Sequence, residues 1–411
     1  MIGSRDLQRH IYMSKPVVRL ELKNTTPLLV GWYDPSKQDP VGIRATEIKG
    51  IWRWWCRAFI AGAMYDTGML SGIEGRDVYL APSKEEAEAI SCIVGKILGL
   101  GYAGEKPAES SRFKLTIQAE GNLRKLEFRR DQVEYQRIKL LTLKDAVEGI
   151  EQGHRFTLSV EKVREKYKDA EELALKILIV SLQLSGVGKG GRRGLGSLDI
   201  THIDSEDVLS SVDRDIAKFI KDVYEKSIEI VDNRKYQEIC GVKSNKQASN
   251  KVLLPLPAVS KEDFKLYKVD ARGYRDFVQV HQFFVRTERC RALYGEKICR
   301  DDLRKNLDAW FLGLPREQKG TGYRSDHDSR RASPILVTYH SEKNIFRQGI
   351  FVSVFLSGDW PKELKWVGGG KKPVPIEIDA DKIKKARNVF IDEFVKYLMQ
   401  KRLRLQEIRW Y

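Results

Sequence analysis

The 411-residue sequence predicts an α+β protein whose first half runs β-α-β-β-α-β, the ferredoxin-like arrangement. Three observations carry this reading: short stretches of alternating apolar and polar residues, two long helical stretches set between them, and a glycine-rich loop that feeds the last strand. Val18, Leu20 and Leu22 alternate with Arg19, Glu21 and Lys23, the pattern of a half-buried strand. A loop rich in Gly, Pro and Asp (31–42) leads to a helix expected over Ile48–Tyr65, and a second apolar helix, extra to the pattern, is expected over Glu85–Leu100. Phe113, Leu115, Ile117 and Ala119 form the next alternating strand, and Phe156, Leu158 and Val160 another. A long helix over Ala170–Leu184 then passes through glycines into a last strand near Leu195–Thr201.

The remainder divides into a charged helical connector and a second α+β unit. We expect boundaries at 1–205, 206–250 and 251–411. In the second unit, strands are expected near Phe277–Val285, Pro334–Tyr339 and Gly349–Leu356. A closing helix from about Asp381 to Arg402 carries an apolar face of Ile383, Ala386, Phe390, Phe394 and Tyr397.

The composition narrows the function classes. Lys and Arg number 73 against 57 Asp and Glu, a net charge of +16, which favours a polyanionic partner. The longest strongly apolar run, Ile177–Leu184, falls far short of the ~18–20 residues that span a bilayer. The first residues hold no apolar signal core, so a cytoplasmic protein without a membrane partner is expected. Cys56, Cys92, Cys240, Cys290 and Cys299 contain no CxxC, which argues against a disulfide scaffold and a zinc ribbon. Neither a cofactor nor a metal is expected. His327-Asp328 matches a metal-binding pair only as a dipeptide, HExxH and GxSxG are absent, and His281 reads as a hydrogen-bonded structural residue in an apolar strand.

Two segments have the chemistry of nucleic-acid binding. Arg44 to Arg57 (RATEIKGIWRWWCR), as a helix capped by Thr46, places Lys49, Arg53 and Arg57 at i, i+4 and i+8, one cationic stripe. Ile51, Trp55, Ala58, Phe59 and Gly62 face the core, and Trp52 and Trp54 fall between, where an aromatic can flank a base or pack at the margin. An ordinary solvated basic face is the plainer alternative. Gly186 to Gly196 (GVGKGGRRGLG) interleaves glycines with Lys189, Arg192 and Arg193. The backbone at Gly188, Gly190, Gly191 and Gly194 can approach an anion, and the cations add fixed charge. The loop leaves a helix and enters a strand, the reverse of a dinucleotide fingerprint, and Arg192 stands where a Walker loop needs Lys. A third segment, Gly313-Leu-Pro-Arg316 through Arg330-Arg-Ala-Ser-Pro334, reads as a surface loop that offers Arg330 and Arg331.

TPLLVGWYDP, RATEIKGIWRWWCRA and GVGKGGRRGLG together resemble the RAMP superfamily of CRISPR proteins, and within it the large two-domain RAMP subunit of type III-B Cmr effector complexes. GLPR and RRASP extend the similarity to the second half. The resemblance implies two ferredoxin-like (RRM-like) domains in tandem. It also implies a non-catalytic antiviral-defence subunit that binds single-stranded RNA, guide or target, near its 3′ region and docks onto other Cmr RAMP subunits. The RNA-binding residues carried over are Lys49, Trp52, Arg53 and Arg57, with Lys189, Arg192 and Arg193 nearby and Arg44, Arg330 and Arg331 as further members. A RAMP endoribonuclease that matures guide RNA without metal would share the fold and loop. A purely structural adaptor would use the glycine loop to grip another subunit's backbone.

Overall fold

The computed structural model describes residues 16–105, 107–129, 138, 141–142, 145–205, 212–242, 253–284, 301–314, 316–318, 320–326, 331–368 and 372–411. The first half is built on strands β1 (Val18–Asn24), β2 (Phe113–Ala119), β3 (Arg155–Lys162) and β4 (Leu198–Ser205), in the sheet order β2-β3-β1-β4 with every neighbouring pair antiparallel. Helices α1 (Ala45–Asp66) and α3 (Lys168–Leu184) follow β1 and β3, so the core elements run β-α-β-β-α-β as the sequence predicts. The inserted helix is α2 (Lys84–Cys92), which continues as a π-helical turn over Ile93–Ile97. Ser83 opens α2 with a capping box: its hydroxyl accepts from the Glu86 amide while the Glu86 carboxylate takes the Ser83 amide.

Alternation decides which face of this sheet is buried. Val18, Leu20 and Leu22 of β1 and Phe156, Leu158 and Val160 of β3 point into one core, and β1 pairs Leu20 with Leu158 and Leu22 with Phe156. Onto that face pack α1 and α3, and α3 is buried almost throughout its length. The segment expected to act as a connector contains α4 (Ile216–Asp232) and α5 (Arg234–Cys240). Its apolar side (Phe219, Ile220, Val223, Tyr224) packs into the same core, so the described part of the segment is a third layer of the first half. The polar stretch 243–250 lies outside the described residues.

The second half repeats the order. Strands β5 (Phe264–Val269), β6 (Ile335–His340), β7 (Gly349–Phe355) and β8 (Leu405–Ile408) form the antiparallel sheet β6-β7-β5-β8, with α6 (Tyr274–Phe283) after β5 and α7 (Ala380–Gln400) after β7. A separate four-stranded sheet (Arg316–Gln318, Thr321–Arg324, Glu363–Val367, Val374–Glu377) is inserted within it. The expected face of α7 is correct: Ile383, Ala386, Phe390, Phe394 and Tyr397 are all buried.

One element differs in kind from the expectation. Phe277 lies in helix α6, where a strand over Phe277–Val285 was expected. Phe277, Val280, His281 and Phe284 recur at helical spacing and are buried, a pattern masked by the continuous apolar run FVQVHQFFV. His281 is structural as expected, but on a helix, with Nδ1 2.8 Å from the Arg193 carbonyl. The cysteine reading also needs correction at one point: Cys92 and Cys240 are joined by a disulfide that ties the end of α2 to the end of α5. Their separation of 148 residues gives spacing arguments nothing to detect, whereas the fold sets the Cα atoms 5.5 Å apart. Cys56 is free and buried, and burial raises its thiol well above the ordinary value. Cys290 and Cys299 lie outside the described residues.

Candidate nucleic-acid interface

Helix α1 positions the cationic row. It begins at Ala45 with Arg44 as its N-cap residue, two residues ahead of the expected cap Thr46, and no side chain caps it. Arg44 is engaged locally: its guanidinium meets Glu47 at 2.7 Å and Asp39 at 3.7 Å. Lys49, Arg53 and Arg57 then run along one face, as their spacing predicts. Lys49 Nζ lies 3.5 Å from the Phe113 carbonyl, and Arg53 Nε donates to the Leu100 carbonyl at 3.0 Å. No carboxylate pairs with any of the three among the described residues. Burial depresses the basicity of Lys49, with Arg53 adding to it, and burial depresses that of Arg53, with Arg57 adding to it. The row therefore concentrates positive charge in a partly dry setting, with no carboxylate among the described residues to offset it.

Arg53 and Arg57 open onto a groove of about 430 Å³ between α1 and the turn that follows α2. Val94 and Gly95 of the π-turn form one wall, and Gly101, Tyr102, Ser110 and Ser111 form another. The wall is held from behind by Arg112, which is fully buried. Its guanidinium donates to Glu171 at 2.6 Å and to the carbonyls of Lys96 and Ile97 at 2.7 and 2.8 Å. Glu109 also lines the groove. Burial opposes its ionisation, but the Lys166 hydrogen bond and the Arg112 and Lys96 charges outweigh it and keep the carboxyl below its ordinary range.

Trp52 is a correction. It is fully buried, its indole N–H donates to the Ala174 carbonyl at 2.6 Å, and its ring packs 5.2 Å from Phe113. It belongs to the core between α1 and α3 and offers no face to a base. Trp54 is half-buried, with the Arg192 guanidinium 5.1 Å over its ring.

The glycine-rich loop forms as expected between α3 and β4, but its arginines turn inward to the second half. Arg192 donates to the Ser333 carbonyl at 2.8 Å, and burial, with the nearby Arg331, depresses its basicity to about 10. Arg193 reaches the carbonyls of Ile335 and Leu312 and lies 5.1 Å over the Phe284 ring. Both are joints between the halves, so neither is a free phosphate grip. The amides of Gly191 and Gly194 donate inside the loop, to the carbonyls of Gly188 and Gly191, and so do not point at a ligand. Gly194 has φ +85°, and a Cβ there would sit 2.4 Å from the Phe277 ring, so glycine is required by the contact with α6. Lys189 folds back onto the Pro35 carbonyl, and burial lowers its basicity. Gly188 is exposed and Lys189 and Gly190 partly so, forming a rim between the buried Val187 and Gly191.

Arg331 is likewise buried. It pairs with Asp359 at 2.5 Å, bonds Ser357 at 3.0 Å, and stacks 3.9 Å over Trp360. The GLP and RRASP segments therefore meet as structure: the Leu314 amide donates to the Arg331 carbonyl at 2.8 Å. Arg330, His327 and Asp328 lie outside the described residues. Sequence reasoning did not single out Arg112, which reads as one more cation in ESSRFK. It also passed over Trp32 and Tyr33, which are 51% and 78% exposed with rings 4.7 Å apart on the loop before α1.

Residues 21–199, which span the cationic row and the glycine-rich loop, match the RAMP superfamily. A search of curated protein sequences finds no significant match. Among solved structures, the chain is similar to Cmr1 from Pyrococcus furiosus in its apo form: 18% identity over 95% of this chain and 98% of that one, TM-score 0.48. It is also similar to a chain of the type III-B Cmr-beta complex bound to cognate target RNA and AMPPnP: 15% identity over 93% of this chain and all of that one, TM-score 0.52. The latter likeness is one of fold, and it extends over both halves. The match to the RAMP superfamily covers residues 21–199, the larger part of the first half.

Proposed function

We propose that this protein is a non-catalytic, RNA-binding RAMP subunit of a type III-B Cmr effector complex, built from two ferredoxin-like units in tandem. The observation that carries the reading is the uncompensated row Lys49–Arg53–Arg57 on α1, because a polyanion is the partner that neutralises it. The fold shared with a chain of an RNA-bound Cmr-beta complex supports it, as do the net charge of +16 and the order of the two sheets. Single-stranded RNA, guide or target, would lie along this row, with Gly188, Lys189 and Gly190 as a secondary rim and other Cmr subunits as docking partners. No helix among the described residues is long and apolar enough to cross a membrane, and we place the subunit in the cytoplasm with its complex. A binding role also suits the described histidines of the second half: His281 and His340 are fully buried and hydrogen-bonded, His340 to Asp199 and to the Gln183 carbonyl, remote from a general base meeting RNA.

The test is fluorescence anisotropy of labelled single-stranded RNA with the whole protein in chelator, across a salt series. Binding should weaken with salt at about −0.7 per phosphate neutralised. Arg57→Gln should weaken all sequences alike and flatten the slope by about one contact. Intact RNA that stays unbound near physiological salt would reject the reading, and shortened RNA would favour the endoribonuclease.

A further inference from the structure

The groove beside α1 is more sharply built than a phosphate track. Its floor holds two guanidiniums, Arg53 and Arg57, and its rim carries the exposed hydroxyl residues Ser91 and Ser110. Two glycines set its walls. A Cβ at Gly95 would lie 2.6 Å from the Tyr102 side chain, and at Gly101, where φ is +89°, one would lie 3.0 Å from Arg53 itself. The adjoining wall is a π-helical turn, a form that recurs at functional sites because one extra residue opens the helix to a ligand. Arg112 spends its donors on holding that turn open-ended at Lys96 and Ile97. The volume of about 430 Å³ falls within the ~300–1,000 Å³ of small-molecule sites, large enough for one nucleotide.

Charge selects the group that fits. Two adjacent guanidiniums without a carboxylate between them call for two negative charges, and the only acid in the lining, Glu109, is already held by Lys166 at 2.8 Å and faces Arg112 at 3.5 Å. An internal phosphodiester brings one charge, whereas a phosphate monoester brings ~1.5–2 at neutral pH and an additional acceptor oxygen for a serine hydroxyl. We propose that this groove is an end-recognition site, which seats the terminal nucleotide of a single-stranded RNA with its phosphate monoester on Arg53 and Arg57. The inference rests on the RNA-binding reading above and gives that surface a polarity: the row Lys49–Arg53–Arg57 ends at a pocket for the end of the strand.

The experiment compares three RNAs of one sequence, bearing a 5′-phosphate, a 3′-phosphate or hydroxyls at both ends, in equilibrium binding to the whole protein. One of the two phosphorylated RNAs should bind about tenfold more tightly than the hydroxyl-ended RNA, which also identifies the end recognised. In Arg57→Gln the preference should fall to near unity with the melting temperature unchanged, and Ser110→Ala, on the exposed rim, should reduce it. Equal binding of all three RNAs would overturn the proposal while leaving RNA binding intact. A preference that survives Arg57→Gln would overturn it as well, by moving the end site elsewhere. If none of the three binds, the RNA-binding reading fails and the end site fails with it.

Discussion

Asp263 shows how a single side chain records its surroundings. Burial pushes its carboxyl up to about 6, with Glu262 and Asp66 adding to the effect against Arg387 and Lys384. A carboxyl that holds its proton more readily when folded stabilises the fold below its unfolded value of 3.8, and that contribution is lost as the pH rises through about 6. Asp263→Asn should therefore raise stability near neutral pH by about 2 kcal/mol, a gain that shrinks as the pH falls toward 4. Urea unfolding at the two pH values measures it, and an equal effect at both would refute the account. Residue identities alone reveal part of this scale. The spacing of Lys49, Arg53 and Arg57 is legible because helical periodicity fixes it. The fate of Trp52, one position from the exposed face, is not: it depends on how closely α3 approaches, which places Ala174 beneath the indole. Arg192 and Arg331 carry the same lesson, since a cation beside glycine or serine looks solvent-facing until its carbonyl partners are known.

At the scale of elements, the glycine-rich loop is a clamp. Its glycines permit close approach, but what approaches is α6 and the start of β6, with Arg192 and Arg193 spanning the gap. Gly194→Ala combines an unfavourable φ with a clash on the Phe277 ring and should cost about 1–3 kcal/mol. Thermal melting would show the loss, and an unchanged midpoint would mean that the loop is free to move off α6. The element order of the first half was legible because its strands have one solvated side, so their apolar residues alternate. In the second half β6 and β7, buried at every residue, were still legible as short apolar runs, whereas β5 was passed over and the apolar run of α6 was read as a strand. Nor does composition announce a π-turn, whose Lys96 and Ile97 carbonyls here accept from Arg112, itself paired with the buried Glu171.

For the whole molecule, the halves are joined by a buried polar network that no local pattern encodes. Gln183 accepts from Asn344 at 2.8 Å, Asn344 in turn accepts the Ile200 amide at 3.0 Å, and His340 bridges Asp199 and the Gln183 carbonyl. Such a joint rewards one arrangement, because each buried group left unmatched costs about 1–3 kcal/mol. The proposed division of labour follows: the glycine-rich loop and its arginines fix the two sheets against each other, and the row on α1 with its groove is the surface proposed to meet RNA. Hydrogen–deuterium exchange of the whole protein with and without single-stranded RNA tests that division most directly. The account predicts new protection over the π-turn and residues 95–111, with the amides of Gly191 and of 193–196, already engaged inside the protein, unchanged. Protection concentrated at 186–196, with 95–111 unaffected, would contradict it.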